Sequence, residues 1–231
     1  MSKSGIINGM EALPFFIKDC ALAAIATGIR AHNLRELRDN LMSVHSGSVY
    51  YHFWGGLLMS HFREREYNND FAEWAKSPHG LHDEALAERL AVVDPTGYPS
   101  LEDLRQEVVE VASIRLEESE KLRLLHADRP FQFMRSQIVI FDTNMRIEEP
   151  HDLRDVAHRM SESSYFFHFI DARRRTAGGV DDFRSWLCEY GAEYEELCVR
   201  LAAIDPYFMP LKELRQRIVA IFDSFFGEPH A

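Results

Sequence analysis

The sequence predicts an all-α protein made of two tandem homologous helical bundles of about five helices each, pseudo-two-fold related. Three observations carry this expectation: an internal copy, apolar stripes at helical spacing behind capping residues, and few Gly or Pro. The copy is the strongest. At a fixed offset of 116, Pro14-Phe15 falls on Pro130-Phe131, Thr27 on Thr143 and Arg30 on Arg146. Leu37-Arg38-Asp39 falls on Leu153-Arg154-Asp155, Ser48 on Ser164, and His52-Phe53 on His168-Phe169. Past residue 53 the offset shrinks. Asp70-Phe71 and Trp74 then match Asp182-Phe183 and Trp186, Leu90-Ala91 matches Leu201-Ala202, and Leu104-Arg105-Gln106 matches Leu214-Arg215-Gln216. The order never changes and the gaps fall in loops. The units are 13–120 and 129–227. A period of about 110 residues is too long for a solenoid, and each unit is long enough for its own small core.

The elements follow in order. Pro14 to Thr27 reads as a helix with Pro at its start and Gly28 past its end, and 130–147 reads the same way with Asn144 in place of Gly28. Gly and Asn best tolerate positive φ, so a left-handed turn is expected at both. Phe131, Met134, Ile138 and Phe141 are spaced for a helix face, although Ile138-Val139-Ile140-Phe141 also resembles a buried strand. Helix is preferred over 14–31 and 130–147, with a β-hairpin as the alternative. Asn33 with Glu36 forms a capping-box-like start to a helix over about 33–44, carrying Leu34, Leu37, Leu41 and Val44. In the second unit Pro150 takes the first-turn position. Ser48 and Ser164 are placed to cap helices from Val49 to Phe62 and from Tyr165 to Arg174. Asn69-Asp70 and Asp181-Asp182 open the next helices, Asp83 opens one ending at Asp94-Pro95, and Ser100 with Asp103 opens a long helix that runs on toward Leu125.

His52 and His168 are the sharpest candidate residues, each inside an aromatic run, Val-Tyr-Tyr-His-Phe and Tyr-Phe-Phe-His-Phe. A histidine flanked by rings suits a metal ligand, a general base or a ligand-binding donor. The competing reading, which is preferred, is a half-buried core histidine hydrogen-bonded to a backbone carbonyl or a carboxylate. Tyr51, Phe167, Arg38, Arg154, Trp74 and Trp186 complete the candidate ligand-binding set. For Arg38, Arg154, Arg105 and Arg215 an ion pair or a carbonyl contact at a helix end is preferred over an anion pocket. The tryptophans read first as core anchors. His32, His45, His61, His79 and His82 enrich the first unit in histidine, but Pro78 and Gly80 put His79-x-x-His82 in a loop, and no metal is expected. Arg173-Arg174-Arg175 complements a helix C-terminus. Phe222, Phe225 and Phe226 are candidates for packing on the first unit or on a second chain.

The net charge of −11 and pI near 5.5 argue against a nucleic-acid surface, which needs clustered Lys and Arg. Cys20, Cys188 and Cys198 are few and scattered, so neither a disulfide framework nor a cysteine zinc site is expected. No signal peptide or membrane span is read, and the chain is expected to be cytoplasmic.

The runs Leu34-Arg-Glu-Leu-Arg-Asp39, Val49-Tyr-Tyr-His-Phe53, Asn69-Asp-Phe-Ala-Glu-Trp74, Leu86-Ala-Glu-Arg-Leu90, Asp94-Pro95 and Leu101-x-x-Leu-Arg105 resemble an uncharacterised prokaryotic family of the domain-of-unknown-function type. The second unit matches more weakly, with Asp181 in place of Asn69. The resemblance implies a fold unit and supplies no catalytic residue. With no nucleophile elbow, P-loop or dinucleotide fingerprint, the expected function is a non-enzymatic binding or regulatory protein. Its protein or small-molecule partner would sit in a groove between or within the units, without a cofactor, on a monomer or homodimer. The alternative is a metal- or histidine-dependent enzyme using His52 and His168.

Overall fold

A computed structural model describes residues 6–7, 10–11, 13–58, 66–119, 122, 125–176 and 178–227. The all-α expectation is overturned. The fold is α/β, with helices joined to a two-stranded antiparallel sheet. After a small β1 (Ile6–Ile7) and β2 (Met10–Glu11) pair comes β3 (Phe15–Ala31), a strand of 17 residues. Helices α1 (Leu34–Leu41), α2 (Ser46–Leu58), α3 (Asp70–Lys76), α4 (Glu84–Ala91) and α5 (Leu101–Glu118) follow. Strand β4 (Phe131–Ile147) is also 17 residues long and pairs with β3. Beyond it lie a 3-10 turn (Pro150–Asp152), α6 (Leu153–Ala157), and a continuous helix made of α7 (Glu162–Tyr165), a π turn (Phe166–Asp171) and α8 (Ala172–Arg175). Next are α9 (Asp182–Leu187), a 3-10 turn (Ala192–Tyr194), α10 (Glu195–Ala202) and α11 (Leu211–Gly227).

The two segments preferred as helices are therefore strands, and neither is a hairpin in itself. Each pairs with the other. Thr27 Oγ1 donates to Phe133 O at 2.5 Å and Thr143 Oγ1 donates to Ile17 O at 2.6 Å, so numbering rises on one strand as it falls on the other. Burial at the strand starts alternates: Phe15 and Ile17 are buried around an exposed Phe16, and Phe131 and Phe133 around an exposed Gln132. That is the period of a strand. The supposed helix face fails because Phe141 is exposed and Met134 and Ile138 are only half-buried. The left-handed positions are as expected, with φ of 78° at Gly28 and 57° at Asn144. They fall inside the strands, where the Thr27 and Thr143 hydroxyls each accept the amide two residues on.

The chain divides into two compact units. A terminal unit comprises Met1–Ala21 with Val139–Ala231, and a central unit comprises Leu22–Ile138. The expected units 13–120 and 129–227 are thus cut across by the ribbon: each strand starts in one unit and ends in the other. In the central unit, α3 packs on α4, α1 and α2 pack on α5, and Leu34, Leu37, Leu41, Phe53, Phe71, Leu104 and Val108 form the core. In the terminal unit, α11 packs on α6, α7 and α10 over Leu153, Tyr165, Phe169, Phe183, Leu214 and Ile218. Phe222 and Phe225 are buried there, and Phe222 lies edge-on to Phe183 at 5.7 Å, so these two side chains belong to the unit's own core.

Most helix starts obey the sequence. Asn33, Asn69, Asp83, Ser100 and Asp181 each accept an amide of the first turn. Glu36 reaches the His32 amide and the Asn33 side chain rather than the Asn33 amide. The caps placed at Ser48 and Ser164 are corrected. Helix α2 begins at Ser46, and Ser161 caps α7 and hydrogen-bonds Ser164. His61 and the stretch to Phe62 lie outside the described residues, as does most of 120–124. Among the described residues no helix is long and apolar enough to cross a membrane.

Two outcomes test this architecture. Fragments 1–122 and 123–231, co-expressed with a tag on one, should co-purify, because each unit needs strand residues from both; fragments that separate would contradict the division. Gly80 sits where an added Cβ would lie 1.9 Å from the Trp74 carbonyl oxygen. Gly80→Ala should lower unfolding stability by about 2 kcal/mol in a urea titration, as overpacking does.

Candidate functional site

The two histidines occupy matching places in the two units. On α2, His52 Nε2 accepts the Met134 amide at 3.1 Å, and Nδ1 lies 2.7 Å from Asp70 Oδ2. On the π turn, His168 Nε2 accepts the Lys18 amide at 2.8 Å, and Nδ1 lies 2.8 Å from Asp182 Oδ2. A backbone amide can only donate, so Nε2 carries no proton, and Nδ1–H donates to the carboxylate. Both rings are 3% exposed. Each histidine is a neutral connector from a helix, through a carboxylate at the start of the next helix, to a strand amide. Neither nitrogen is left to take a proton from a substrate.

Aromatic rings close the same places. Phe131 packs on His52, Phe71 and Trp74 at centroid distances of 4.6, 5.1 and 5.6 Å. Phe15 packs on His168, Phe183 and Trp186 at 4.9, 5.3 and 5.4 Å. The tryptophans also hold the strand entries. Trp74 Nε1 donates to Arg129 O at 2.9 Å and Trp186 Nε1 to Leu13 O at 2.8 Å. Tyr51 and Phe167 stand edge-on to their neighbouring histidines at 5.1 and 5.0 Å.

The arginines divide into two groups. Arg38 hydrogen-bonds its neighbour Asp39 and Arg154 is exposed, and among the described residues no hydrogen bond draws either to a histidine. Arg105 is buried and donates to Leu41 O and Val44 O, both at 2.7 Å, while Arg215 donates to Met160 O and His158 O. These bonds satisfy carbonyls left open at helix ends. Trp74 and Trp186 meet the histidine clusters; Arg38 and Arg154 do not.

The terminal unit adds a charged layer that the sequence reading missed. Arg175 Nη2 bonds Asp182 Oδ2 at 3.0 Å and the Phe167 carbonyl at 2.9 Å, and its Nε bonds Asp171, which is 2% exposed. Its guanidinium lies 4.1 Å from the Phe167 ring centroid. Cys20 is buried beside this layer, donates to Ser163 O, and is pushed up to about 12, first by burial and then by Asp19 and Asp171. It stays a thiol and is no nucleophile at neutral pH. In the central unit Ser136 Oγ donates to Gly47 O, the matching bond. His79 is half exposed, 3.8 Å from Asp128, and among the described residues no group of three or more His, Cys, Asp or Glu is placed to hold a metal.

Sequence reasoning also missed Asp70, Asp182 and the strand amides as partners of the histidines. The carboxylates are visible, because Asp-Phe-x-x-Trp recurs in both units, but a place beside a helix cap does not point to a histidine. The amides left no signal, since main chain looks alike at every position.

Fold and site together define a class of protein with two helical units, each clamping strand starts through an Asp–His–amide connector. The chain belongs to DUF5752, a family of unknown function, whose model matches residues 12–223. The solved structure of OrfY from Thermoproteus tenax is similar, with a TM-score of 0.79 and 24% identity over 94% of this chain and 97% of that one. That likeness concerns the fold. No curated protein matches the chain.

The connector can be tested directly. His52→Ala should cost about 3 kcal/mol, combining a lost buried ring with an unmet amide. His52→Gln, whose side-chain oxygen can still accept the Met134 amide, should cost less, and amide exchange at Met134 should quicken in the first variant only. Equal urea midpoints for wild type and His52→Ala would remove the connector role.

Proposed function

We propose that this chain is a non-enzymatic binding protein, that the β3–β4 ribbon is its recognition element, and that its partner is another protein. The observation that carries this reading is the run Val139, Ile140 and Phe141, which is 41, 53 and 49% exposed on a sheet of two strands. Phe16 is exposed on β3 as well. Soluble proteins blunt strand edges with charge, proline or a covering element. Three consecutive large apolar side chains instead suit a partner that lays an extended segment against the ribbon. Successive strand residues point to opposite faces, so Val139 and Phe141 share a face and Ile140 takes the other. The alternative of a histidine-dependent enzyme loses its support, because both ring nitrogens of His52 and His168 are engaged internally. We place the protein in the cytoplasm, in keeping with its scattered thiols.

The test is quantitative affinity capture with wild type and with Val139→Asp/Phe141→Asp. Both positions are exposed, so the variant should keep its circular dichroism and melting temperature. It should lose the captured partner by at least about tenfold, as hot-spot residues do. A capture profile identical in both proteins would overturn the ribbon as the recognition element.

A further inference from the structure

The start of α10 departs from its counterpart in the central unit. With Leu90 set on Leu201 and Leu104 on Leu214, Asp83 falls on Tyr194 and Arg115 on Phe225. In the central unit Asp83 caps α4 and takes two bonds from Arg115, at 2.8 and 3.0 Å. In the terminal unit the same places hold rings, Tyr194 and Phe225, with centroids 6.3 Å apart. Helix α10 therefore starts without a side-chain cap. A capped start serves a helix better than an uncapped one, so the fold alone does not account for Tyr194.

The rings continue toward the surface. Tyr190 stands 6.2 Å from Tyr194 at 88° and 5.0 Å from the buried Trp186, and both tyrosines are half-buried. The Tyr190 hydroxyl donates to Glu148 O at 2.8 Å, which fixes its ring beside the end of β4. Gly191, with φ of 125°, lies between the two tyrosines in sequence. The Glu193 carboxylate folds over it, with Oε2 3.1 Å from the place a Cβ on Gly191 would take. Glu148 pairs with Arg146 and Glu196 with Arg200, but no such partner holds Glu193 among the described residues. Burial pushes both phenols up, followed by Glu149 at Tyr190 and by Glu193 at Tyr194. Both stay neutral, in a negative field.

We propose that Tyr190, Tyr194 and Glu193 form a binding site for an arginine side chain in a basic segment of a partner protein. A guanidinium is attracted by aromatic faces and pairs with a carboxylate through its planar fork, and this site offers both together. An ammonium meets the carboxylate only as a point charge. An anion is repelled by Glu193 and by Glu195 and Glu196 in the first turn of α10. An apolar partner would strip water from the Glu193 charge and give nothing back. The net charge of −11 draws a basic partner toward the chain. The central unit has His79 and His82 where Tyr190 and Glu193 stand, so the site belongs to the terminal unit. This inference does not rest on the ribbon's role in binding.

The experiment titrates the full chain, labelled with nitrogen-15, with a hexa-arginine peptide at about 0.15 M ionic strength, where diffuse attraction is screened. The largest amide shifts should fall between Tyr190 and Tyr194. Glu193→Gln and Tyr194→Leu should each weaken binding by at least about tenfold, as hot-spot residues do. Glu110→Gln removes the same charge from an exposed position of the central unit and should bind like wild type. A hexa-lysine peptide should bind at least about tenfold more weakly than hexa-arginine. Circular dichroism checks each fold, and Glu193→Gln, at an exposed position, carries the test if Tyr194→Leu does not fold. Equal affinity in wild type, Glu193→Gln and Glu110→Gln, or shifts spread over the whole acidic surface, would leave diffuse attraction alone and overturn the site. Equal binding of the two peptides would overturn the preference for arginine, and free arginine binding as tightly as the peptide would overturn the protein partner.

Discussion

A strand amide held by a histidine ring is the contact on which this fold turns. A two-stranded ribbon is marginal in water by itself, and 17 residues is far beyond the usual strand length of about 5–6. Its ends must be held by something other than a neighbouring strand. The holding groups are His52 on the Met134 amide and His168 on the Lys18 amide, each ring set in its tautomer by an aspartate. The tryptophan indoles add a second bond one turn away, at the carbonyls of Arg129 and Leu13. Around these polar bonds, Phe131 and Phe15 remove water, which raises the cost of leaving any of the groups unpaired.

The same requirement explains why so much polar chemistry is buried beside the strands. Asp70 and Asp182 stand at the first turns of α3 and α9, where a negative charge is favoured by the helix dipole. In the terminal unit Arg175 adds a further bond to Asp182 and engages the buried Asp171, so the carboxylate layer is matched by charge. Buried ion pairs of this kind contribute little net stability against an apolar replacement, but breaking one leaves a stranded charge. The arrangement favours one geometry of helix against strand.

Much of the helical part was legible in the sequence because its causes are local. Asn33, Asn69, Asp83, Ser100 and Asp181 cap within three residues, and the Leu34–Leu37–Leu41 stripe needs only one helix to be read. The carbonyl contacts of Arg105 and Arg215 were likewise expected at helix ends. The caps assigned to Ser48 and Ser164 failed because several serines compete there, and Ser161 has the better approach to its helix. The ribbon was misread for a different reason. Ala21 to Ala26 favours a helix by propensity, and the apolar residues of 131–141 fit a helical spacing as well as a strand. Pairing with a segment more than a hundred residues away outweighs both, and no local window contains that partner.

By itself the sequence determined the repeated positions, the capped helices, the left-handed residues Gly28 and Asn144, and the family to which the chain belongs. These depend on side-chain type and near neighbours. Only the tertiary structure decided that 15–31 and 131–147 are one ribbon, that each unit takes strand residues from both halves of the chain, and that the histidines are connectors. Strand pairing and amide capture use main-chain groups common to every residue, so their partners are chosen by three-dimensional packing and leave no mark in the order of side chains.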